Sequence, residues 1–304
     1  MQRRTFVKNS LLSSAAIAAG TTATVAHPSV LNQPRQFKLK YAPHPGMFAQ
    51  LAGSDPIDQL KFIAEQGFTA FEDNDMMDRE VALQEKMGST MAKLGIQMGV
   101  FVVSFDHWPL STSLTSGDES WRKKFLNTCR QAVEVAKRVN AKWMTVVPGN
   151  YERHLPKGIQ TANVIESLRR AAEIFEPHGL VMVLEALSDT PDLFLRHPGQ
   201  TYMICKAVDS PSCKYLFDLW HMQRNDGHLI KNIELCWDEI GYFQIGDEPG
   251  RNEPTTGEIN FKNIFKYIHS RGYDGILGME HGNSSEGKDG EVAVIKAYEE
   301  VDNF

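Results

Sequence analysis

The sequence predicts a single parallel α/β domain closed as a (β/α)8 barrel, and three observations lead there. Strand-like and helix-like patterns alternate eight times between residue 37 and the C-terminus. The strand-like runs are apolar almost throughout, as strands covered on both faces are. Four of them each end in an oxygen-bearing side chain: VMVLE at Glu185, KYLFD at Asp218, IGYFQ at Gln244 and ILGME at Glu280. In such a barrel the residue at the carboxyl end of a strand faces the active-site mouth, so these four side chains are expected to converge.

Taken in order, the strands are expected at 37–42 (FKLKYA), 70–74 (AFEDN), 97–103 (QMGVFVV), 142–147 (KWMTVV), 181–186 (VMVLEA), 214–219 (KYLFDL), 241–246 (GYFQIG) and 275–280 (GILGME). Between them, segments such as DPIDQLKFIAEQG, WRKKFLNTCRQAVEVAKRVN, NVIESLRRAAEIFEPHG and INFKNIFKYIHSRG space their apolar residues at the helical period. Several such segments close on a glycine before the next strand, at Gly67, Gly95, Gly179 and Gly272. An open doubly wound sheet also alternates, but it usually carries a glycine-rich phosphate loop after an early strand. The chain has neither GxGxxG nor GxxxxGK followed by Ser or Thr. That favours barrel closure and removes most support for a nucleotide cofactor.

The N-terminus is of a different kind. Residues 1–26 run from Arg3-Arg4 through Thr5, Phe6, Val7 and Lys8 into LLSSAAIAAGTTATVA, which looks like a twin-arginine export signal too weakly apolar to be a membrane span. Thr24-Val25-Ala26 is a fair match to a small-x-small cleavage pattern. Residues 27–36 read as a linker and 37–304 as the barrel, so the barrel is expected to be exported to the periplasm.

Composition bounds the partners. With 42% hydrophobic and 23% charged residues a large core is available, and a formal net charge of -6 argues against nucleic acid or an anionic membrane surface. A small molecule is the expected partner. Cys129, Cys205, Cys213 and Cys236 show no CxxC or Cys/His spacing, which speaks against zinc-thiolate chemistry. An oxidising compartment would let Cys205 and Cys213 pair, but buried free thiols are the simpler expectation.

Three carboxylates and one amide oxygen brought together repel one another unless a cation sits between them. An all-oxygen set selects a hard divalent ion such as Mg2+ or Mn2+. Glu185 and Glu280, on the fifth and eighth strands, would lie across part of the mouth from each other. Two carboxylates so placed can take a proton from one carbon and return it to the next, as in aldose–ketose isomerisation or epimerisation, while a metal stabilises the enediolate between. A structural ion pair is the bland alternative for either glutamate alone; four such residues on four successive strands weigh against it. His221, three residues past Asp218, is expected to donate to a substrate oxygen, or else to be a buried histidine with a backbone partner. In the loop after Gln244, Asp247 would hold a ligand or water and Arg251 would grip a carboxylate or hydroxyls. His107 and Trp108 follow the third strand as further substrate contacts, with Trp108 either stacking on a sugar face or capping the core edge. His44, Glu72, His154 and Lys157 are weaker candidates, and pleat alternation turns His281 away from the mouth.

The run from Gln244 to Phe261, with FDLWHMQ (217–223) and GMEHG (278–282), resembles the hydroxypyruvate isomerase family of the xylose isomerase-like TIM barrels, related to ketose 3-epimerases. The resemblance begins near Tyr41 and includes GMFAQLAGSDPIDQLKFIAEQGFTAFEDNDMMDR (46–79). It implies one metal held by Glu185, Asp218, Gln244 and Glu280, an acid/base pair in Glu185 and Glu280, substrate contacts at His221 and Arg251, and a homodimer. Many relatives carry His at the third metal position, so Gln244 points to the hydroxypyruvate isomerase branch. The implied reaction converts hydroxypyruvate to tartronate semialdehyde or acts on a related small sugar or sugar acid. A ketose or inosose 3-epimerase would need the same ligands. A non-catalytic periplasmic sugar-binding barrel need not keep both glutamates, and a phosphodiesterase or endonuclease on this barrel would need more His ligands and a basic face. The export signal departs from the cytoplasmic setting of the family reaction and points to a paralogue with another substrate.

Overall fold

Nine short strand segments build the ring in the computed structural model, which describes residues 35–104 and 110–304. They are β1 (Lys40–Ala42), β2 (Ala70–Phe71), β3 (Gln97–Met98), β4 (Phe101–Val102), β5 (Trp143–Val146), β6 (Val181–Glu185), β7 (Cys213–Asp218), β8 (Ile240–Gln244) and β9 (Ile276–Gly278). All pairings are parallel, with neighbours in the order β1-β9-β8-β7-β6-β5-β4 and β2 beside β3. β3 and β4 are halves of the third barrel strand. Across their junction the Gly99 amide donates to the Phe71 carbonyl at 2.7 Å and the Asp73 amide to the Val100 carbonyl at 3.3 Å. The Glu72 amide then donates to the Pro43 carbonyl at 3.0 Å, carrying the hydrogen bonding on from β1 to the second strand. The eight expected strands are thus all present, with bounds shifted by a few residues. The export segment, the linker up to residue 34, and His107 and Trp108 lie outside the described residues.

Side-chain alternation explains where the chemistry falls. One small buried cluster contains Ala42, Ala70, Val100, Val181, Val183, Leu216, Tyr242 and Ile276, and a larger one contains their strand neighbours, such as Tyr41, Met182, Leu184, Phe217, Phe243 and Leu277. A period of two along a strand assigns the first set to the inside of the ring and the second to the layer under the helices. Stepping two residues on from the inner set reaches Glu72, Glu185, Asp218, Gln244 and, by way of Gly278, Glu280. The same pleat that fills the barrel with apolar groups therefore carries five polar ones to its carboxyl end.

The outer layer is helical, and its turns follow local rules. Asp55 accepts the Ile57 amide and Asp118 the Ser120 and Trp121 amides, capping the helices Pro56–Glu65 and Glu119–Val139. The C-terminal helix Gly287–Asp302 is tied to β1, because the buried Asp302 carboxylate accepts from the Lys38 amide at 2.7 Å and from the Tyr41 hydroxyl at 2.8 Å. Arg35, just before the expected barrel start, already bonds Gln66 at 2.7 Å and pairs with Glu299. All four cysteines are free and buried, with the Cys205 thiol hydrogen-bonded to that of Cys213. No helix among the described residues is long and apolar enough to cross a membrane.

Candidate active site

Asp218 organises the site from the end of β7. One of its oxygens accepts the His221 amide at 2.9 Å and caps the short helix Leu219–Asn225. That cap places His221 one turn on, beside the residue that positions it. The other oxygen accepts from the Arg251 Nη2 at 3.0 Å. Glu185, Asp218 and His221 each bring a polar atom within 4.8 Å of one another, all three buried. Asp218 stands opposite Gln244 in the β7–β8 register, and Gln244 opposite Gly278, so the expected four converge as the strand pattern requires. Glu280 lies two residues beyond β9, where it accepts from Asn74 Nδ2 at 2.9 Å and from Arg251 Nη2 at 2.5 Å.

These groups open onto a cavity of about 370 Å³ whose wall includes Glu185, His221, Arg251, Glu280 and Asn74. Asp218 and Gln244 lie beneath it, each 1% exposed. A larger hollow of about 500 Å³ lies between the helices Leu229–Cys236 and Phe261–Ser270 and carries none of the strand-end carboxylates.

His221 joins its two sequence readings. The Ser188 backbone amide donates to its Nδ1 at 3.0 Å, so in the neutral ring the proton sits on Nε2. Burial lowers the His221 pKa, favouring that neutral form despite the nearby Asp218 charge. The Nε2–H reaches toward Glu185 at 3.7 Å and Asp189 at 3.9 Å. His221 is therefore a donor toward the cavity, and its Nε2 has no lone pair for a metal even though it stands among potential ligands.

The loop after β8 departs from expectation at Asp247. Both its oxygens are taken by the loop's own backbone, from the Gly257 amide at 2.8 Å and the Ile259 amide at 3.0 Å, and it does not line the cavity. It shapes the loop. Gly257 must lack a side chain here, since a Cβ would stand 1.9 Å from the Glu248 carbonyl. The brace serves Arg251, which sits in the left-handed region at φ 49. A non-glycine residue there costs about 1 kcal/mol. Its guanidinium is nevertheless fixed by the Glu280 carbonyl at 3.1 Å and by the Trp220 ring 4.6 Å away. Among the weaker candidates, His281 packs against Tyr298, away from the mouth as alternation implied, and Lys157 lies over the Tyr151 ring. His44 bonds the Pro45 and His281 carbonyls, and His154 lies on the exposed surface. Sequence reasoning passed over Asn74, Trp220 and Asp189; Asn74 stood in plain view at the end of the AFEDN run.

Electrostatics separate the acids. Burial pushes Glu185 well above the ordinary carboxylate range, reinforced by Glu280 and Asp218. Burial likewise raises Glu280 to about 7 against the pull of Arg251. For Asp218 burial is outweighed by His221, Arg251 and the backbone hydrogen bond, so its pKa is lowered. Glu72, beneath them, is pushed up to about 8 by burial and by Glu280. One more observation bears on a cation: the Gln244 amide donates to Glu72 Oε1 at 3.0 Å, while its own carbonyl oxygen is buried with no partner among the described residues. An unpaired buried acceptor beside three carboxylates suits a hard cation.

Comparison with known proteins agrees with this fold. Residues 60–300 match the family model described as a xylose isomerase-like TIM barrel. A hydroxypyruvate isomerase from Escherichia coli is 34% identical over 122 residues, 40% of this chain and 47% of that protein. The chain thus spans about half the length of that curated relative. A 2-oxo-tetronate isomerase from Pectobacterium atrosepticum is 27% identical over 77% of this chain and 89% of its own. Among solved structures, an AP endonuclease family 2 protein from Brucella melitensis superposes with a TM-score of 0.72 at 22% identity, covering 83% of this chain and 96% of its own, a likeness of fold.

The raised carboxylates set a pH dependence of stability. A carboxyl whose folded pKa exceeds its unfolded value binds more protons when folded, so stability falls as pH rises between the two values. The buried His281, lowered to about 3, works the other way, but only below the ordinary histidine range. Above about pH 6.5 the carboxylates govern, Glu280 up to its folded value of about 7 and Glu72 up to about 8, and the EDTA-treated protein should lose stability as pH rises to about 8. Urea midpoints should fall with rising pH and fall less in Glu280→Gln; a midpoint that climbs through this range would contradict the assignment.

Proposed function

The chain belongs to the xylose isomerase-like TIM barrel family, and from that premise we propose that it is an isomerase of the hydroxypyruvate isomerase type. It would move a proton between adjacent carbons of a small hydroxy-carbonyl compound. The observation that carries this reading is the pair of glutamates on one cavity wall, both with raised pKa, beside an aspartate whose pKa is lowered. Burial that lifts two carboxyls toward neutral pH fits both for taking and giving protons, while Asp218 keeps its charge. The names of the isomerase relatives point the same way.

A divalent cation would be held by Glu185, Asp218, Gln244 and Glu280 and would supply the charge that polarises hydroxyl and carbonyl oxygens. The unpaired Gln244 oxygen and the excess of carboxylates support Mg2+ or Mn2+, and the absence of a lone pair on His221 Nε2 leaves the donor set all oxygen. The side chains do the rest. One glutamate, ionised, would take the proton from the hydroxyl-bearing carbon and the other, protonated, would give one to the neighbouring carbon, while the hydroxyl proton passes to the former carbonyl oxygen, through an enediolate. Arg251 holds Glu280 in place and, anchored by its Nε and Nη2, keeps its other nitrogen for a substrate oxygen. His221 donates its Nε2–H to another. Asn74 fixes the second Glu280 oxygen, so that carboxylate has little freedom to rotate.

Export by the twin-arginine route belongs to the same proposal, since that route passes folded proteins and so allows metal loading first. Replacing Arg3 and Arg4 with Lys should retain the protein in the cytoplasmic fraction of a Gram-negative host; undiminished periplasmic protein would refute it. The reaction itself is tested by proton NMR in D2O with Mn2+ or Mg2+, hydroxypyruvate and a panel of ketoses. Deuterium should enter at carbons flanking the carbonyl, and Glu185→Gln and Glu280→Gln should each slow this by about 10²-fold or more. Either variant exchanging at the parent rate would exclude the acid/base pair. The substrate that exchanges fastest separates an isomerase from a 3-epimerase.

A further inference from the structure

Beneath the strand-end acids lies a residue that the proposed chemistry does not use. Glu72 is 1% exposed, inside the ring, and both of its oxygens are committed. Oε2 accepts from the Tyr242 hydroxyl at 2.8 Å and Oε1 from Gln244 Nε2 at 3.0 Å. Its side chain fills the space over Gly278, where a Cβ would stand 1.9 Å from Oε2. It is therefore walled in by β8 and β9. A carboxylate buried among other carboxylates is costly, and a costly group held so firmly invites a specific explanation.

The explanation lies in the direction of hydrogen bonding. A primary amide has a donor end and an acceptor end that point apart, and nothing in its shape decides which faces a ligand. Here both Glu72 oxygens accept, one from the Tyr242 hydroxyl and one from the Gln244 amide, so the side chain offers Gln244 no donor. By taking the NH2 of Gln244, Glu72 turns the carbonyl oxygen the other way, and that oxygen is buried with no partner among the described residues. We propose that Glu72 is a positioning residue that sets the amide polarity of Gln244, so that residue 244 offers an oxygen and not an NH2 to a cation. This rests on the metal reading above. Residue 244 must then be a donor on one side and an acceptor on the other. Gln meets that requirement as it stands; Glu would meet it only with a proton shared between it and Glu72.

Hydrogen-bond polarity can be reversed as a unit, which gives a test that simple loss of structure cannot imitate. In Glu72→Gln the new amide keeps the Tyr242 hydroxyl on its oxygen and turns its NH2 toward residue 244, so Gln244 must rotate and present its own NH2 to the cation. Mn2+ affinity, measured by calorimetry and by the EPR signal of free Mn2+, should fall 10- to 100-fold, the usual effect of losing a partner that orients a ligand. Gln244→Glu alone should bind no tighter than the parent, because the proton its carboxylate shares with Glu72 cancels the added charge. In the double variant Glu72→Gln/Gln244→Glu, residue 72 donates and residue 244 accepts with one oxygen while the other faces the metal, and affinity should recover to within a few-fold of the parent. Circular dichroism and thermal melting of the same samples verify that each is folded. A Glu72→Gln protein that binds Mn2+ like the parent, or a double variant no tighter than the weaker single, overturns the inference. A parent protein that binds no Mn2+ instead overturns the metal reading on which it stands, so the two failures are told apart.

Discussion

Four acidic side chains, Glu72, Glu185, Asp218 and Glu280, share one end of a barrel with a single guanidinium among them, and the rest of the site answers to that crowding. Two like charges 4 Å apart at an effective dielectric of about 20 repel by about 4 kcal/mol. The barrel cannot relieve this by moving the groups outward, because the pleat that packs Val183, Leu216, Tyr242 and Ile276 inside delivers the next inward positions to the mouth. What it does is divide the acids. Asp218 receives a helix-capping amide and Arg251, and stays charged. Burial instead raises Glu185, and raises Glu280 despite its bonds from Arg251 and Asn74.

On the proposed reading, that division suits acid/base catalysis. Groups that must both take and give protons near neutral pH need carboxyl pKa values above their ordinary range, and burial supplies this without a dedicated device. Arg251 shows the cost of keeping order. It occupies a left-handed backbone conformation, braced by Asp247 through the Gly257 and Ile259 amides and stacked on Trp220. The loop spends local strain to set one guanidinium against two carboxylates, as functional loops tend to do.

Much of this was legible in the chain, and what was not has a common cause. The strands and the positions of Glu185, Asp218, Gln244 and Glu280 could be read because apolar runs and the period of two are written locally, within five or six residues. The Asp218–His221 relation was readable for the same reason, since a capping aspartate and the third residue after it are adjacent by helix geometry. Asp247 was read as a ligand holder from its place after Gln244; its actual partners lie ten and twelve residues on and are backbone amides, which no side-chain pattern announces. Glu72 looked like a minor mouth residue because its partner is 172 positions away on the far side of the ring. Contacts across a closed barrel join strands that the sequence keeps apart, and only closure reveals them.

The claim at the centre is that one hard cation sits among four oxygens of Glu185, Asp218, Gln244 and Glu280, with His221 left outside its coordination shell. The direct measurement is a crystal structure of the protein soaked with Mn2+, with anomalous scattering used to place the metal. The expected result is one anomalous peak at the barrel mouth, bonded to a single oxygen type from each of the four residues, with the Gln244 amide still donating to Glu72. A peak bound by His221 Nε2, two or more metals, or no peak at a concentration that shows binding in solution would contradict it.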